Sequence, residues 1–446
     1  MMSWLVERFA EKPDATAFVH GDRAVDYASV VTQIDTFALL LRARGVKHSQ
    51  LVCLVGDYSP EWFCMMLALA VNHNVIVPLT RTSVVEKDSA LAICGCDWLI
   101  ELPESEAKPS FEKLSIAVDN ALVAQLQKQG TPGLILFSSG STGQPKAILH
   151  DFDKVAAKFI ARRPPVVAIP FLMVDHFGGI NTILGIVANL GTVVTVADRS
   201  IDAICEAIER HRVELLPTTP SFLTMMMVSG VTRDHDLSSL KRITYGTEVM
   251  HQSTLDRLRS AFPGVALQQT YGLSEVGVMR SKSRDDGSLW LKLGGEGFQT
   301  KVVDDVLWIK SDFAMLGYLN APSKFDADGW FNTQDRVEVE DGHFRILGRT
   351  TDLINVGGQK VYPSEIEEVI LQMENISDVA VFGEPHPLLG SIVVAKVLTI
   401  ASETVPDLKR RIRTQCATVL SNYKVPTKVV LADGPLYNSR QKKVRR

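Results

Sequence analysis

An apolar run that stops abruptly in a serine- and glycine-rich stretch constrains the fold of this chain more than any other feature. Residues 134–137 (LILF) have the composition of a buried strand, and SSGSTGQPK follows at residues 138–146. Glycines allow a tight turn that brings backbone N–H groups close to an anion, and hydroxyls add further donors. Lys146 then supplies a positive charge. The stretch predicts a phosphate-binding loop at the end of a strand.

The loop differs from a Walker loop, because no Gly-Lys-Ser/Thr sequence closes it. This difference disfavours a P-loop kinase or ATPase, which we keep as an alternative function for the loop. A Ser/Gly run can also be a solvated linker, but a strand precedes this one and Pro145-Lys146 follows it. The residues that we predict to bind phosphate are Ser138, Ser139, Gly140, Ser141, Thr142, Gly143 and Lys146.

Length and composition indicate an ordinary globular protein with more than one domain. The chain has 446 residues, 46% of them hydrophobic and 22% charged, and a net charge of −4 gives no reason to expect nucleic acid as a partner. No apolar stretch reaches the roughly 20 residues of a membrane span, and the first residues do not resemble a signal peptide. Six scattered cysteines indicate reduced, buried thiols and a cytoplasmic location.

Helices and strands are predicted to alternate through the first 216 residues. Helices are expected after Asp26, ending at Gly45, after Ser59-Pro60, near residues 180–188 and at 201–211. Such alternation argues for a largely parallel sheet with helices on its faces. Residues 103–115 are predicted to be a surface loop. The predicted strands are 51–55, 75–79, 98–102, 166–169, 192–196 and 213–216.

The pattern changes twice in the second half of the chain. Residues 288–309 have short alternating strands with turns, which predicts a small β-rich subdomain. Beyond about Gly348 a new unit begins, with helices at 363–370 and 405–420 and strands at 379–382 and 392–399. We therefore divide the chain into an N-terminal core, residues 1–349, and a C-terminal domain, residues 350–446.

A second motif, Tyr271-Gly272-Leu-Ser274-Glu275, follows a predicted strand at residues 265–269. Together with the phosphate loop it resembles the adenylate-forming superfamily: acyl- and aryl-CoA ligases, luciferases and peptide-synthetase adenylation domains. The resemblance implies that Tyr271 stacks on adenine, and that Ser274 and Glu275 lie near the α-phosphate and magnesium. The chemistry agrees, since Tyr271 offers a flat face and Glu275 is a hard oxygen ligand for Mg²⁺. Relatives often have Thr in place of Ser274.

The resemblance has wider implications for fold and reaction. It implies an α/β fold whose large N-terminal domain has mixed, largely parallel sheets flanked by helices plus a small β subdomain, followed by a small mobile α+β C-terminal domain. It implies activation of a carboxylic acid by ATP and Mg²⁺ to an acyl-adenylate, with release of pyrophosphate. The acyl group would then pass to a phosphopantetheine thiol, either of coenzyme A or of an acyl carrier protein.

The ribose side of the site is implied by Asp335 and Arg349. Asp335 ends the sequence WFNTQD, and the family pattern has Gly where this chain has Gln334. Asp335 would accept hydrogen bonds from both ribose hydroxyls, a role that suits a carboxylate. Arg349 would lie near the ribose and phosphate, just before a hinge at Thr351.

Two C-terminal motifs are implied to serve the two half-reactions in turn. Gly357-Gly358-Gln-Lys360 matches the loop that faces the active site for thioester formation, although an ordinary β-turn is the alternative. The tail resembles the family's lysine motif, with Gln441 where Gly belongs, Lys442 at the catalytic position and Arg445 following it. A lysine there would stabilise charge that develops during adenylation. Adjacent Lys443 leaves the register open by one residue.

The acid-binding side is predicted from two further stretches. His176 starts the His-x-x-Gly pattern of acyl- and aryl-acid ligases, and Gly178-Gly179 after it would let substrate approach. Amino-acid-activating relatives have Asp in the His176 position, and Asp175 lies one residue earlier, so an amino-acid substrate is disfavoured. The adenine and acyl sides would be lined by Tyr245, Gly246, Thr247 and Glu248.

The sequence thus predicts an AMP-forming acid-thiol ligase whose catalytic residues are Lys442, Ser274, Glu275 and His176. A stand-alone adenylation enzyme that loads a carrier protein is the first alternative. A non-catalytic adenylate-binding protein is the second, because Gln334 and Gln441 replace two family glycines.

Overall fold

The structure is a computed structural model, which describes residues 2–103, 108–116, 118–138, 144–285, 287–437 and 443. Its helices begin where capping residues precede apolar periodic stretches; for example, Asp26 accepts a hydrogen bond from Ser29 N, and Ser59 accepts one from Trp62 N. The α-helices among these residues are α1 (Ser3–Phe9), α2 (Tyr27–Arg44), α3 (Pro60–Val71), α4 (Lys87–Cys94), α5 (Ala121–Gln129), α6 (Phe152–Ala157), α7 (Phe177–Val187), α8 (Ile201–His211), α9 (Pro220–Ser229), α10 (Gln252–Ala261), α11 (Pro363–Leu371) and α12 (Val405–Val419).

The strands are numbered in chain order. Those of the first half are β1 (Thr16–His20), β2 (Arg23–Asp26), β3 (Leu51–Val55), β4 (Val75–Leu79), β5 (Trp98–Glu101), β6 (Ser110–Lys113), β7 (Gly133–Ser138), β8 (Lys146–Asp151), β9 (Val167–Ala168), β10 (Thr192–Thr195) and β11 (Leu215–Thr218). Those of the second half are β12 (Arg242–Tyr245), β13 (Ala266–Gln269), β14 (Gly272–Leu273), β15 (Gly277–Val278), β16 (Arg280–Ser283), β17 (Leu291–Gly294), β18 (Phe298–Val303), β19 (Val306–Ser311), β20 (Gly317–Tyr318), β21 (Phe331–Glu340), β22 (His343–Arg349), β23 (Ile354–Val356), β24 (Gln359–Val361), β25 (Ile376–His386), β26 (Gly390–Thr399) and β27 (Lys428–Leu431).

Two seven-stranded sheets form the core, and helices cover them. The first has the order β13-β12-β11-β9-β10-β1-β2, parallel except for β2 at its edge. The second has the order β20-β8-β7-β4-β3-β5-β6, with a parallel centre formed by β7, β4, β3 and β5. The helix α3 is apolar on every side and almost wholly buried in the cluster that joins both sheets, as expected for a helix without a polar face.

A smaller antiparallel sheet and a separate C-terminal sheet complete the fold. The antiparallel sheet has the order β16-β17-β22-β21-β19-β18 and its own apolar cluster. The C-terminal sheet has the order β24-β23-β26-β25, with β27 on β26, and α11 and α12 pack on it in a further cluster. This α/β architecture, with a large N-terminal part and a small C-terminal part, is the fold class expected from the sequence. The boundary between residues 349 and 350 stays a prediction.

Most predicted elements agree with the structure to within a few residues, and one differs from it in kind. The surface loop predicted for residues 103–115 contains the strand β6, which pairs with β5 along Trp98 to Glu101. The strand predicted at 213–216 begins at Leu215, because Arg212 has a left-handed backbone that ends α8. The phosphate-loop residues Ser139, Gly140, Ser141, Thr142 and Gly143 lie outside the described residues.

Within the part of the chain that the structure describes, no helix is both long and apolar enough to cross a membrane. All six cysteines are described, and each is a buried free thiol.

Candidate active site

A cavity of about 260 Å³ lies where the C-terminal segment, residues 350 onward, meets the core. The core contributes residues from the ends of several elements to its wall, and α11, β25 and the tail contribute the opposite side. Predicted site residues that line it are Thr247, Glu248, Tyr271, Gly272, Asp335 and Arg349. The cavity thus brings together residues from four separate sequence motifs.

Asp335 and Arg349 are direct neighbours because β21 and β22 pair antiparallel with these two residues opposite each other. Arg349 Nε lies 3.3 Å from Asp335 Oδ1, and the Tyr271 hydroxyl donates to Asp335 Oδ2 at 2.5 Å. The Thr333 hydroxyl accepts a hydrogen bond from Asp335 N at 3.0 Å. The carboxylate is therefore fixed in orientation at the cavity wall.

Burial and charge act in opposite directions on Asp335. Burial raises the pKa of its carboxyl, while Arg349 and the Tyr271 hydroxyl lower it, and the net shift is upward. Burial, aided by Asp335, also raises the pKa of Tyr271, so the hydroxyl stays a donor. Half-exposed Arg349 keeps a positive charge beside the cavity.

Glu275 lies in the turn between β14 and β15, as the motif predicts. This hairpin is tight because Gly272 approaches Val278 closely: a Cβ at Gly272 would lie 2.6 Å from Val278 Cα. Glu275 Oε1 accepts a hydrogen bond from the Tyr318 hydroxyl at 2.8 Å. Burial and then Glu275 raise the pKa of Tyr318, which keeps this donor protonated. Ser274 lies in the same turn but does not line the cavity.

Three cations surround Glu275 and Tyr318. Lys146 Nζ lies 5.4 Å from the centre of the Tyr318 ring. The pKa of Lys324 is lowered by burial, by Lys146 and by Arg349, and Glu275 opposes that shift. Lys146 is also held at one end of the phosphate loop, because β7 and β8 pair Ser138 with Lys146. Lys324 thus adds a third positive charge to Lys146 and Arg349, the two that the sequence predicted.

Glu248 joins three parts of the chain rather than facing open space. Its Oε2 accepts hydrogen bonds from Ser221 N at 3.1 Å and from the Ser221 hydroxyl at 2.7 Å, at the start of α9. Its Oε1 accepts from Lys443 N at 2.5 Å. Tyr245, by contrast, is buried in the core and does not line the cavity, and Gly246 is required where the chain passes Thr270.

The C-terminal tail returns to the cavity at Lys443. Lys443 Nζ lies 2.9 Å from Asp378 Oδ1 and donates to Val379 O at 2.9 Å, so its ammonium is bound within the C-terminal segment. Burial lowers the pKa of Lys443, but Asp378 and Glu367 outweigh it and hold the pKa above its usual value. Lys442, the predicted catalytic lysine, lies outside the described residues, and so does Gln441.

The structure does not bring the Gly357-Gly358 motif to the cavity. Gly357 and Gly358 form an exposed two-residue turn between β23 and β24, with φ values of 58° and 84° that suit glycine. Gly358 N donates to Asn355 Oδ1, and Gly357 N donates to Leu389 O. Lys360 is exposed on β24. In this orientation the motif is an exposed β-turn, and its role in thioester formation stays a prediction.

His176 caps α7, since its Nδ1 accepts a hydrogen bond from Gly178 N at 3.0 Å. Asp175 beside it is buried, and its Oδ2 accepts from the Ser83 hydroxyl at 2.6 Å. Gly179 has a packing reason besides the predicted approach of substrate, which stays a prediction: a Cβ at Gly179 would lie 2.1 Å from Met173 O and 2.5 Å from the Tyr58 hydroxyl. Backbone packing therefore requires Gly179, whatever the substrate.

Gln334 stands where the family pattern has glycine, and its backbone has the left-handed conformation that glycine favours. Its φ is 62°, in the left-handed region, and its N–H donates to Asn332 Oδ1 at 2.9 Å. The loop before Asp335 therefore keeps the shape that glycine would give it. This finding removes one of the two reasons for a non-catalytic protein.

Tyr318, Lys324 and His251 are site residues that sequence reasoning missed. Tyr318 bonds Glu275, Lys324 adds charge, and His251 lines the cavity where the C-terminal segment meets the core. None belongs to a motif with a recognisable spacing. Their roles depend on contacts between distant parts of the chain, which only the three-dimensional structure reveals.

Two family models match the chain. The model of the AMP-binding enzyme matches residues 5–319, and that of the AMP-binding enzyme C-terminal domain matches residues 365–443. Feruloyl-CoA synthase of Amycolatopsis sp is 27% identical over 475 residues, covering 97% of this chain and 94% of the relative. A medium/long-chain-fatty-acid acyl-carrier-protein ligase of Mycobacterium tuberculosis is 24% identical over 457 residues, covering 89% and 84%.

A solved structure shares the fold. The anthranilate CoA ligase AuaEII in complex with anthranoyl-AMP superimposes with a TM-score of 0.84 at 20% identity, covering 99% of this chain and 95% of that one. At this identity the likeness shows the fold alone.

Proposed function

The chain belongs to the AMP-binding enzyme family, as an AMP-forming ligase of the acyl- and aryl-CoA type, and we propose that it transfers an acid without an α-amino group to the thiol of coenzyme A. One observation carries the proposal: Tyr271, Asp335 and Arg349 converge on the cavity that the tail reaches at Lys443. The residues that we expect to bind the nucleotide thus meet Lys443 at one place.

The first step would be adenylation of the acid. Asp335 would accept from the ribose hydroxyls, and Tyr271 would offer its ring to adenine. Arg349 lines the cavity and would bind the triphosphate together with Lys146 and Lys324, because these three positive charges act on one another beside Glu275 and Tyr318. Bound Mg²⁺ would neutralise phosphate charge.

Glu275 is the residue that we propose to hold Mg²⁺. A cluster of three or more His, Cys, Asp or Glu is absent from the described part of the chain. Mg²⁺ needs no such cluster, because one or two carboxylates, phosphate oxygens and water complete its octahedron. Glu275 is half-buried and its Oε1 is already oriented by Tyr318, so its chemistry fits this role.

Asp175 supports an acid without an α-amino group. A carboxylate that pairs with a substrate ammonium must face the acyl side, but Asp175 is 4% exposed and bonded to Ser83. Feruloyl-CoA synthase and the anthranilate ligase act on aromatic acids by their names, and we propose aromatic acids as the first substrates to test.

The acceptor of the acyl group has one supported alternative. The mycobacterial relative is an acyl-carrier-protein ligase by name, so a carrier protein that presents the same phosphopantetheine thiol is the second candidate. We further propose a cytoplasmic location, which the six buried free thiols favour.

Acid-dependent exchange of labelled pyrophosphate into ATP tests the proposal. A panel of aromatic, aliphatic and amino acids should give exchange with aromatic acids, with AMP as the product once coenzyme A is added. Formation of ADP, or exchange with amino acids alone, would refute it. Acyl transfer to a carrier protein but not to coenzyme A would select the second acceptor.

A further inference from the structure

A buried histidine joins the core to the C-terminal segment. His251 precedes α10, and its side chain is 8% exposed. Its Nε2 lies 3.4 Å from Glu367 Oε2, and its Nδ1 lies 3.4 Å from Glu368 Oε2. Both glutamates belong to α11, so one imidazole from the core faces two consecutive carboxylates of the C-terminal segment. We name these three residues the His251 latch.

The two carboxylates are fixed by their remaining bonds. Glu367 is fully buried, and its Oε1 accepts a hydrogen bond from Val381 N at 2.9 Å, which ties it to β25. Glu368 accepts from Gln252 N at 2.8 Å and from Ser253 N at 3.0 Å. Glu367 is thus bonded to β25, whereas Glu368 is bonded to the start of α10 in the core. If the C-terminal segment turns away from the core, Glu367 must leave His251, and Glu368 must leave both His251 and α10.

Glu368 also caps a helix that belongs to the core. The first N–H groups of α10 lack intrahelical partners, and the His251 side chain makes no capping bond to them. A carboxylate at a helix N-terminus is favoured by both hydrogen bonding and the helix dipole. Departure of α11 would therefore leave Gln252 N–H and Ser253 N–H without their protein acceptor.

The charges around the latch favour a protonated histidine. Two carboxylates face the two ring nitrogens, and an imidazole can donate from both nitrogens only when it is charged. Burial lowers the pKa of His251, but Glu367 and Glu368 outweigh it and raise the pKa above its usual value. Burial raises the pKa of Glu368, whereas His251 and Ser253 N–H lower it to about 2. Lys443 is the further charge that acts on His251.

The latched orientation suits only one of the two half-reactions. It places Glu367, Asp378 and Lys443 at the cavity, and it leaves the Gly357-Gly358 turn exposed elsewhere. Bringing that turn to the cavity requires the C-terminal segment to rotate, which must break the contacts of His251 and Glu368 with each other. Hinge motion of this kind is an established form of domain rearrangement.

We propose that His251, Glu367 and Glu368 position the C-terminal segment for adenylation, and that their separation is required before thioester formation. The inference rests on the two-step function proposed above. Both ring nitrogens of His251 face carboxylates of α11, so the latch has a positioning role: it acts by favouring one orientation over the other. Its loss should therefore change the balance between the half-reactions rather than remove both.

The test compares two variants in the full-length protein. Glu368→Gln removes one charge at nearly unchanged volume, and His251→Gln removes the other partner. The matched control is Glu365→Gln on the same helix, because Glu365 pairs with Lys424 inside the C-terminal segment and makes no latch contact. Pyrophosphate exchange and thioester formation from supplied acyl-adenylate are measured separately. Glu368→Gln and His251→Gln should lower the rate of pyrophosphate exchange relative to that of thioester formation by about 5- to 150-fold, the usual range of a conformational coupling.

Amide hydrogen exchange gives a readout that needs no substrate. In both latch variants the amides of Gln252 and Ser253 should exchange faster than in the wild type, and in Glu365→Gln they should not. Equal loss of both half-reactions, or unchanged exchange at these two amides, would overturn the proposal. If the wild type shows no pyrophosphate exchange with any acid, the proposed function fails, and the two amides still decide whether the latch exists.

Discussion

Replacing Gln334 by glycine should stabilise the protein. Gln334 has a φ of 62°, and an L-residue in the left-handed region costs about 1–2 kcal/mol. Glycine removes this cost but adds about 0.5–1 kcal/mol of chain entropy to the unfolded state. The difference predicts a gain of about 0.5–1 kcal/mol in the free energy of unfolding. No side-chain bond of Gln334 is present among the described residues, so the change removes little else.

Urea unfolding followed by tryptophan fluorescence measures this gain, because Trp308 on β19 pairs with Asn332 on β21. The midpoint should rise at an unchanged slope. Gln299→Gly is the matched control: Gln299 is exposed on β18 of the same sheet with an ordinary φ, and its replacement should lower the midpoint. A lowered midpoint for Gln334→Gly beside the expected drop for Gln299→Gly would refute the strain at this position. Pyrophosphate exchange should be unchanged, since Gln334 does not line the cavity.

Three further expectations concern the two half-reactions. Lys442→Ala should abolish adenylation and largely spare thioester formation from supplied acyl-adenylate. Lys443→Ala should instead loosen the tail, because the Lys443 ammonium pairs with Asp378. A larger loss of adenylation in Lys443→Ala than in Lys442→Ala would move the catalytic position by one residue. Glu275→Gln should raise the magnesium concentration needed for pyrophosphate exchange, and an unchanged requirement would place the metal elsewhere. Thr351→Pro should stiffen the predicted hinge and impair one half-reaction only. Gly358→Leu should obstruct thioester formation but not adenylation. Equal losses of both half-reactions in both variants, with folding intact, would contradict a C-terminal segment that has two orientations.

Local sequence signals predicted most elements because their causes are local. Caps and turn residues gave the start of α2 after Asp26 and its end at Gly45, and β-branched runs gave β3 and β4 to the residue. The strand β6 escaped prediction since its sequence, SFEK, has three exposed residues and is a strand only through its pairing with β5. Edge strands of this kind are decided by their neighbours rather than by their own composition.

The candidate site was predictable motif by motif but not as an arrangement. The resemblance supplied Tyr271, Asp335 and Arg349, yet the register of β21 against β22 is what places Asp335 opposite Arg349. Tyr318 reaches Glu275 across 43 positions of sequence. Contacts at such separations follow from the packing of whole sheets, so a single sequence holds no periodic signal for them.

The latch makes the balance between the half-reactions depend on pH. The folded-state pKa of His251 is raised, because Glu367 and Glu368 outweigh burial and the charge of Lys443. A histidine released from the latch has the ordinary pKa of about 6.5, so the stabilisation of the latched orientation is fully present below that pH. It is lost as pH rises through the raised pKa of the latched state. We expect the ratio of pyrophosphate exchange to thioester formation to fall as pH rises from about 6.5 through the raised pKa of His251.

Ionisation of the acceptor thiol also accelerates thioester formation as pH rises, so the wild-type profile alone is insufficient. Glu368→Gln removes one of the two carboxylates that raise the pKa of His251, and should move the fall in the ratio to lower pH. Glu365→Gln leaves the latch intact while the thiol titrates identically, so its profile should overlay the wild type. Coincident profiles for all three proteins would show that the thiol, and not His251, sets the pH dependence.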